Sequence, residues 1–304
     1  MSKSQTAGLR TWIEIDRRAI AHNFKTFRKL IPKETKLLAV VKSNAYGHNL
    51  TEFAVEIEKL GADMLGVDSA VEGFSLRKTR VKVPILVLGH TLPEMYARAA
   101  REHITITISS MEGLRALVRA NTKSIAPHIH IKIDTGMHRQ GFLRKELPGV
   151  AQFLKKNKTK IHADGMYTHF AAAKSLHAKE HAAYTKKQIV EFEEWVAAFQ
   201  KEGFTPIIHA GATSGLLLFP SAHFDMVRAG IGLYGVWPSE DARRALGGKV
   251  TLKPALSWKS IIAEIKTIPK GSMIGYDLTE KVTRDTRIGI VPVGYWHGYP
   301  SSLS

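Results

Sequence analysis

Lys36-Leu37-Leu38-Ala39-Val40-Val41-Lys42-Ser43-Asn44-Ala45-Tyr46-Gly47-His48 is the stretch from which the chain is read. Its apolar run, Leu37–Val41, has the length and β-branched ending of a buried strand. On that reading Lys42 sits poorly solvated at a strand end, the setting in which an amine serves as a Schiff-base nucleophile. The turn Ala45-Tyr46-Gly47-His48 brings a ring, a flexible backbone and an imidazole close to that amine. The alternative use of such a lysine is to snorkel into solvent.

Working outward, the same texture recurs. Before the strand, Ile20, Phe24, Phe27 and Ile31 follow a start signal at Asp16 on one helical face. After it, strands are expected at Met64–Val67, Ile85–Leu88, Ile104–Ile108, His128–Ile133, Gly165–Thr168, Ile207–His209 and Asp225–Arg228. Helices are expected between them, among them Thr51–Leu60, Leu92–Glu102, Met111–Ala120 and His181–Lys201. Strands alternating with helices over about 200 residues predict an α/β fold, a (β/α)8 TIM barrel. A doubly wound sheet would carry a Gly-rich phosphate fingerprint after its first strand, and none is present. Beyond Trp237-Pro238 the pattern turns to β-branched residues and turns. The expected division is a barrel over 1–239 and a β-rich C-terminal domain over 240–304, with the strand near 11–15 joining the second.

Composition bounds the function. The 304 residues are 44% hydrophobic and 23% charged, enough apolar content for a sizeable core. There are no cysteines, which excludes disulfides, thiolate nucleophiles and cysteine metal sites. The first residues lack the apolar core of a secretion signal, and no apolar run reaches the roughly 18 residues of a membrane span. The expected location is cytoplasmic, without membrane partners. The formal net charge of +17 is scattered along the chain, with no zinc-finger spacing and no aromatic-interleaved basic stripe. It reads as a solvated basic surface that binds no specific nucleic acid.

In such a barrel, chemistry gathers at the C-terminal ends of the strands. There stand Lys42; Lys132 and Asp134, followed by the loop bearing His138 and Arg139; His169; His209 with Ala212-Thr213-Ser214; and Arg228 with Gly230 and Ile231. Singly, each has an ordinary structural use: a solvated arginine, a satisfied core histidine, a helix-capping aspartate. Five strand ends delivering polar groups to one rim is a pattern those separate uses do not produce.

These motifs resemble those of bacterial alanine racemases, the barrel class of pyridoxal-phosphate enzymes. The Lys42 stretch matches the cofactor-lysine signature. Ile131–Phe142 (IKIDTGMHRQGF), Tyr167–Phe170, Asp225–Gly235 (DMVRAGIGLYG), Ile274–Tyr276 and Arg284–Pro300 (RDTRIGIVPVGYWHGYP) match further motifs in the same order. The resemblance implies interconversion of L- and D-alanine for peptidoglycan on pyridoxal 5'-phosphate. It implies a homodimer with shared active sites. Lys42 would hold the cofactor covalently and act as base on one face of the substrate Cα, and Tyr276 on the other. Racemisation takes a proton from one face and returns one to the opposite face, so it requires such a pair. Arg228 would bond the pyridine nitrogen. With an arginine there rather than a carboxylate, the nitrogen stays unprotonated and the ring is a weaker electron sink. His169 would orient Arg228 and Tyr276. Tyr46, Thr213, Gly230 and Ile231 would hold the phosphate. Arg139 would bind the substrate carboxylate, with Lys132 at the place where some members carry a carbamylated lysine.

Departures from the family pattern are Ala212 for asparagine, Thr213 for serine, His138 for glycine and Trp296-His297 for Ala-Asp. The resemblance also implies a further C-terminal segment beyond Ser304, so the β-rich domain is expected to be incomplete and the form impaired in catalysis. Other readings are a racemase of broader specificity, a pyridoxal-phosphate carrier of barrel type, and a decarboxylase. The β-rich domain with Tyr276 speaks against the carrier, and Arg228 against the decarboxylase.

Overall fold

The computed structural model describes residues 6–120 and 125–303. They form two compact units. One spans Arg17–Ala255; the other joins the segment ending at Asp16 to the chain from Leu256 onward.

The larger unit is a closed parallel barrel of eight strands. In chain order they are β2 (Lys36–Val40), β3 (Met64–Val67), β4 (Ile85–Val87), β5 (Ile104–Ile108), β6 (His128–Lys132), β7 (His162–Tyr167), β8 (Ile207–His209) and β9 (Met226–Ala229). β9 pairs back onto β2, with Leu38 opposite Arg228, and closes the cylinder. Helices cover the outside and side chains fill the inside, so strands are buried on both faces and read as continuous apolar runs. Leu37, Leu38 and Ala39 are fully buried in succession. Inside the barrel, Leu38, Val40, Met64, Leu86 and Met226 pack as one cluster. Above it the lining turns polar.

The helices follow their apolar spacing. Arg17–Leu30 buries Ile20, Phe24 and Phe27. Lys179–Lys201 buries Thr185, Gln188, Ile189, Phe192, Trp195 and Phe199, a stripe at intervals of three and four. Each large apolar side chain so buried contributes about 1.5–3 kcal/mol relative to exposure. The single helix expected over Leu92–Glu102 is instead a 3-10 turn, Pro93–Met95, followed by the helix Tyr96–Arg101. Pro93 has no amide hydrogen to continue a helix inward and is tolerated at its first turn.

Several strand ends differ from expectation by one residue, and the start of β7 by three. β7 begins at His162 rather than Gly165. Gly165 is a mid-strand residue, and a Cβ there would lie 2.4 Å from the His130 ring. β9 begins at Met226 rather than Asp225, although the Asp225 amide still donates to the Ile208 carbonyl at 3.1 Å and its carbonyl accepts from the Lys36 amide at 2.8 Å.

The larger unit also runs past residue 239. Helix Glu240–Ala245 buries Ala242, and Val250, Leu252 and Ala255 are buried after it. Buried Asn23 accounts for the boundary near 255. Its amide donates to the Leu233 and Lys253 carbonyls at 3.1 and 2.8 Å, and its Oδ1 accepts the Lys253 amide at 2.8 Å.

Among the described residues, the smaller unit holds three two-stranded antiparallel pairings. β1 (Thr11–Ile15) pairs with β10 (Leu256–Ser260), Thr11 opposite Ser260. β11 (Glu264–Ile268) pairs with β14 (Thr286–Ile290), and β12 (Met273–Ile274) with β13 (Glu280–Lys281). The β-branched stretch 256–268 is thus two strands with different partners. No helix among the described residues is long and apolar enough to cross a membrane.

Candidate active site

The C-terminal strand ends of the barrel surround one cavity of about 660 Å³. Lys42 and Tyr46 come from the turn after β2. Lys132 ends β6, and Arg139 stands on the loop that follows. His169 follows β7, Thr213 follows β8, and Arg228, Gly230 and Ile231 come from β9 and the turn beyond it. All nine line this cavity. Tyr276 belongs to the smaller unit, where it opens a short turn and is 86% exposed.

The turn after β2 is left-handed. Ser43, Asn44, Ala45 and Tyr46 have φ of 56°, 54°, 52° and 50°. L-residues adopt this conformation at a cost, so surrounding contacts must hold it. Asn44 supplies one, its Oδ1 accepting the Leu50 amide at 2.8 Å. Glu72 supplies others, accepting from the amides of Asn44 at 3.2 Å and Asp68 at 2.8 Å. Its carboxylate ties the turn after β2 to the loop after β3. Lys42 emerges from this brace into the cavity. Its side chain is 36% exposed and its Nζ lies 2.9 Å from Asp68 Oδ1. The expectation of a poorly solvated lysine is not met: the side chain points into an open cavity and is ion-paired there.

Arg228 is buried at 2% exposure. Its Nη2 donates to the carbonyls of Thr168 and Ala210, each at 2.8 Å, and lies 3.1 Å from His169 Nδ1. Its Nη1 lies 2.8 Å from His209 Nδ1, and His209 Nε2 lies 2.8 Å from His130 Nδ1. The guanidinium only donates, so both histidine nitrogens facing it are acceptors. His209 then carries its hydrogen on Nε2 and donates it to His130. Burial, then the Arg228 charge, pushes both His130 and His169 down to about 3. The same causes hold His209 well below the usual range. The three imidazoles are neutral at physiological pH. Arg228 itself is lowered by burial, to about 10, and remains a cation.

Arg228 and Lys132 lie 5.0 and 5.6 Å from the centre of the Tyr167 ring, and that ring stacks on His209 at 4.7 Å. The aromatic ring offers both cations a favourable face. Burial, then the charges of Arg139 and Arg228, lowers Lys132 to about 8. Its Nζ donates to Gln140 Oε1 at 3.3 Å. The Arg139 loop folds back on buried Asp134, whose Oδ1 accepts the amides of Gly136 and His138 at 2.9 and 3.0 Å.

Across the cavity, the Gly230 amide donates to Thr213 Oγ1 at 2.9 Å. A Cβ on Gly230 would sit 3.5 Å from the Tyr46 hydroxyl and 3.8 Å from Thr213 Oγ1. Lacking one, the position leaves a cradle rimmed by two hydroxyls. Lys42, Lys132, Arg139, Lys174 and Arg228 line the cavity against the single carboxylate of Asp68. Its chemistry is that of a site for an anionic molecule with an amine poised beside it. No trio of His, Asp or Glu suited to a metal ion occurs among the described residues.

Sequence reasoning gave no role to Asp68, Glu72 or His130, nor to Tyr167 and Gln140 within the motifs that contain them. One signal was available. In His128-Ile129-His130-Ile131-Lys132-Ile133-Asp134 polar and apolar residues alternate, which in a strand of a closed barrel places His130 and Lys132 on one side together. Asp68, directly after β3, occupies the same rim position as Lys42.

The fold is that of a (β/α)8 barrel, with a basic cavity and a lysine at its C-terminal strand ends. The comparisons narrow it. Residues 15–238 match the family described as alanine racemase, N-terminal domain, and 255–304 match alanine racemase, C-terminal domain. The chain belongs to the alanine racemase family. It is 38% identical over 301 residues to the alanine racemase of Leptospira interrogans serogroup Icterohaemorrhagiae serovar copenhageni, covering 97% of this chain and 75% of that one. Among solved structures, alanine racemase of Clostridium difficile 630 superposes with a TM-score of 0.86 at 32% identity, covering 96% of this chain and 75% of that one. Alanine racemase from Bacillus anthracis, solved with bound L-Ala-P, superposes with a TM-score of 0.87 at 33% identity, covering 95% and 74%.

Proposed function

We propose that this protein interconverts L- and D-alanine with pyridoxal 5'-phosphate held in the barrel cavity, supplying D-alanine for peptidoglycan in the cytoplasm. The observation that carries the reading is the joint presence, in one cavity, of the Lys42 amine, the Arg228 guanidinium backed by neutral histidines, and the Gly230–Thr213–Tyr46 cradle. These residues fit the cofactor. The hydroxyls and the Gly230–Ile231 backbone would hold its phosphate. Arg228 would donate to its pyridine nitrogen, and Lys42 would hold it covalently. When bound, the cofactor supplies the conjugated system that makes the substrate α-hydrogen acidic.

The chain's own residues supply the rest. Lys42 Nζ takes or returns a proton on one face of the substrate. Tyr276 Oη does so on the opposite face, in a homodimer whose active sites are shared between subunits. Arg228 keeps its protons, because its neighbours His169 and His209 are held neutral and can only accept from it. A cation there cannot protonate the ring nitrogen as a carboxylic acid would. Arg139 binds the substrate carboxylate, and Lys132 reinforces the positive field around it.

The test is chemical. Borohydride treatment of the protein loaded with pyridoxal phosphate should fix a pyridoxyl label on Lys42, and Lys42→Ala should lose both label and alanine racemisation. Mixing Lys42→Ala with Tyr276→Phe protein should restore activity through hybrid dimers. A label on another lysine, or no recovery despite proven subunit exchange, overturns the respective assignment.

A further inference from the structure

Helix Lys179–Lys201 presents Tyr184 and Gln188 one turn apart, and so on one face. Gln188 is 1% exposed. Its Oε1 accepts the Ala171 amide at 2.9 Å. Its Nε2 donates to Thr135 Oγ1 at 3.2 Å and reaches the His169 carbonyl at 3.4 Å. Thr135 Oγ1 lies 2.8 Å from Thr168 Oγ1. Tyr184 Oη donates to the Gly136 carbonyl at 2.7 Å.

One helix face therefore grips two loops at once. The loop after β6 is held at 135 and 136, three residues before Arg139. The loop after β7 is held at 169 and 171, and the carbonyl of neighbouring Thr168 accepts from Arg228. The rest of the buried stripe on this helix is mostly apolar, so an amide is not needed to fill the space. What it provides is a single side chain that bonds polar groups on two separate loops.

We propose that Gln188, supported by Tyr184, is a positioning residue. It fixes the Arg139 loop against the His169 loop and thereby sets where the substrate carboxylate is held. Gln188 touches no reacting atom; it acts through Thr135, Ala171 and the backbone of His169. The kinetic consequence rests on the racemase reading above, while the structural one does not.

Two measurements on the pyridoxal-phosphate-loaded protein test it. In Gln188→Leu, amide hydrogen exchange across 134–142 should accelerate while β2 to β5 keep their protection. Alanine kcat/KM should fall about 10- to 100-fold, the loss expected for a displacement near 1 Å, with a raised KM carrying most of it. Pyridoxal-phosphate affinity should stay within a few fold, because Thr213 and Gly230 are untouched. Gln188→Glu keeps the side-chain size and serves if the leucine variant fails to fold. It removes the amide donor that faces the His169 carbonyl and should move the same readouts in the same direction. Unchanged exchange over 134–142 in a folded variant overturns the proposal. So does faster exchange with unchanged KM. If the parent racemises no alanine, the proposed function fails, and exchange alone decides whether this clamp exists.

Discussion

Lys42 Nζ and Asp68 Oδ1 are 2.9 Å apart across two neighbouring strand ends, and both side chains are partly open to solvent, at 36% and 53%. The amine must leave this carboxylate before it can bond to any carbonyl group. A pair this exposed is worth only about 0.2–1 kcal/mol. Asp68→Ala should therefore speed uptake of pyridoxal phosphate by cofactor-free protein modestly, by a factor of about 2–5. Stopped-flow absorbance measures it. A slower uptake would mean that Asp68 assists attachment rather than competing with it.

The left-handed turn makes a second prediction. Ser43 is exposed and has φ 56° and ψ 54°. A β-branched residue there meets its own backbone and should cost about 1–2 kcal/mol. Ser43→Val should lower the midpoint of urea unfolding, whereas Ser43→Gly should leave it equal or higher. Equal midpoints for the two variants would show that the turn is not left-handed in solution.

What was legible in the sequence follows from what is local. Strand and helix positions came from apolar runs and spacing, because a closed parallel barrel buries both faces of every strand. Lys42, Lys132 and Arg228 stood out because each lies at or within two residues of a strand's C-terminal end. Asp68 and Glu72 did not, since an acidic residue between a strand and a helix also reads as a cap or first-turn charge. The His209–His130 contact joins residues 79 apart in sequence, and only barrel closure brings them together. The left-handed turn at Ser43–Tyr46 was hidden because, Asn44 apart, none of its residues carries a sequence signal for positive φ.

The neutral histidines make the fold sensitive to acid. His130 and His169 titrate near 3 in the folded protein and near their ordinary value of 6.5 when unfolded. Between those values the unfolded chain binds more protons, so stability falls as pH drops from 6.5 toward 3. Each such group contributes a slope of up to about 1.36 kcal/mol per pH unit. Urea unfolding measured from pH 7 to 4 should show this loss, and His169→Gln should show a shallower one. An identical slope in the variant would place His169 in solvent.

Gly165 tests the position of His130. A Cβ on Gly165 would come within 2.4 to 2.5 Å of three atoms of the His130 ring. The ring cannot retreat easily. It is 1% exposed inside the barrel, and its Nδ1 is held 2.8 Å from His209, which in turn accepts from Arg228. Adding one methyl should therefore displace either β7 or the His130–His209–Arg228 chain, at about 1–3 kcal/mol for an overpacked core. Gly165→Ala should lower the stability measured by urea by that amount. Removing the obstructing ring should relieve it, so Gly165→Ala combined with His130→Ala should be more stable than the sum of the two single losses requires. Strict additivity would show that the two residues do not meet.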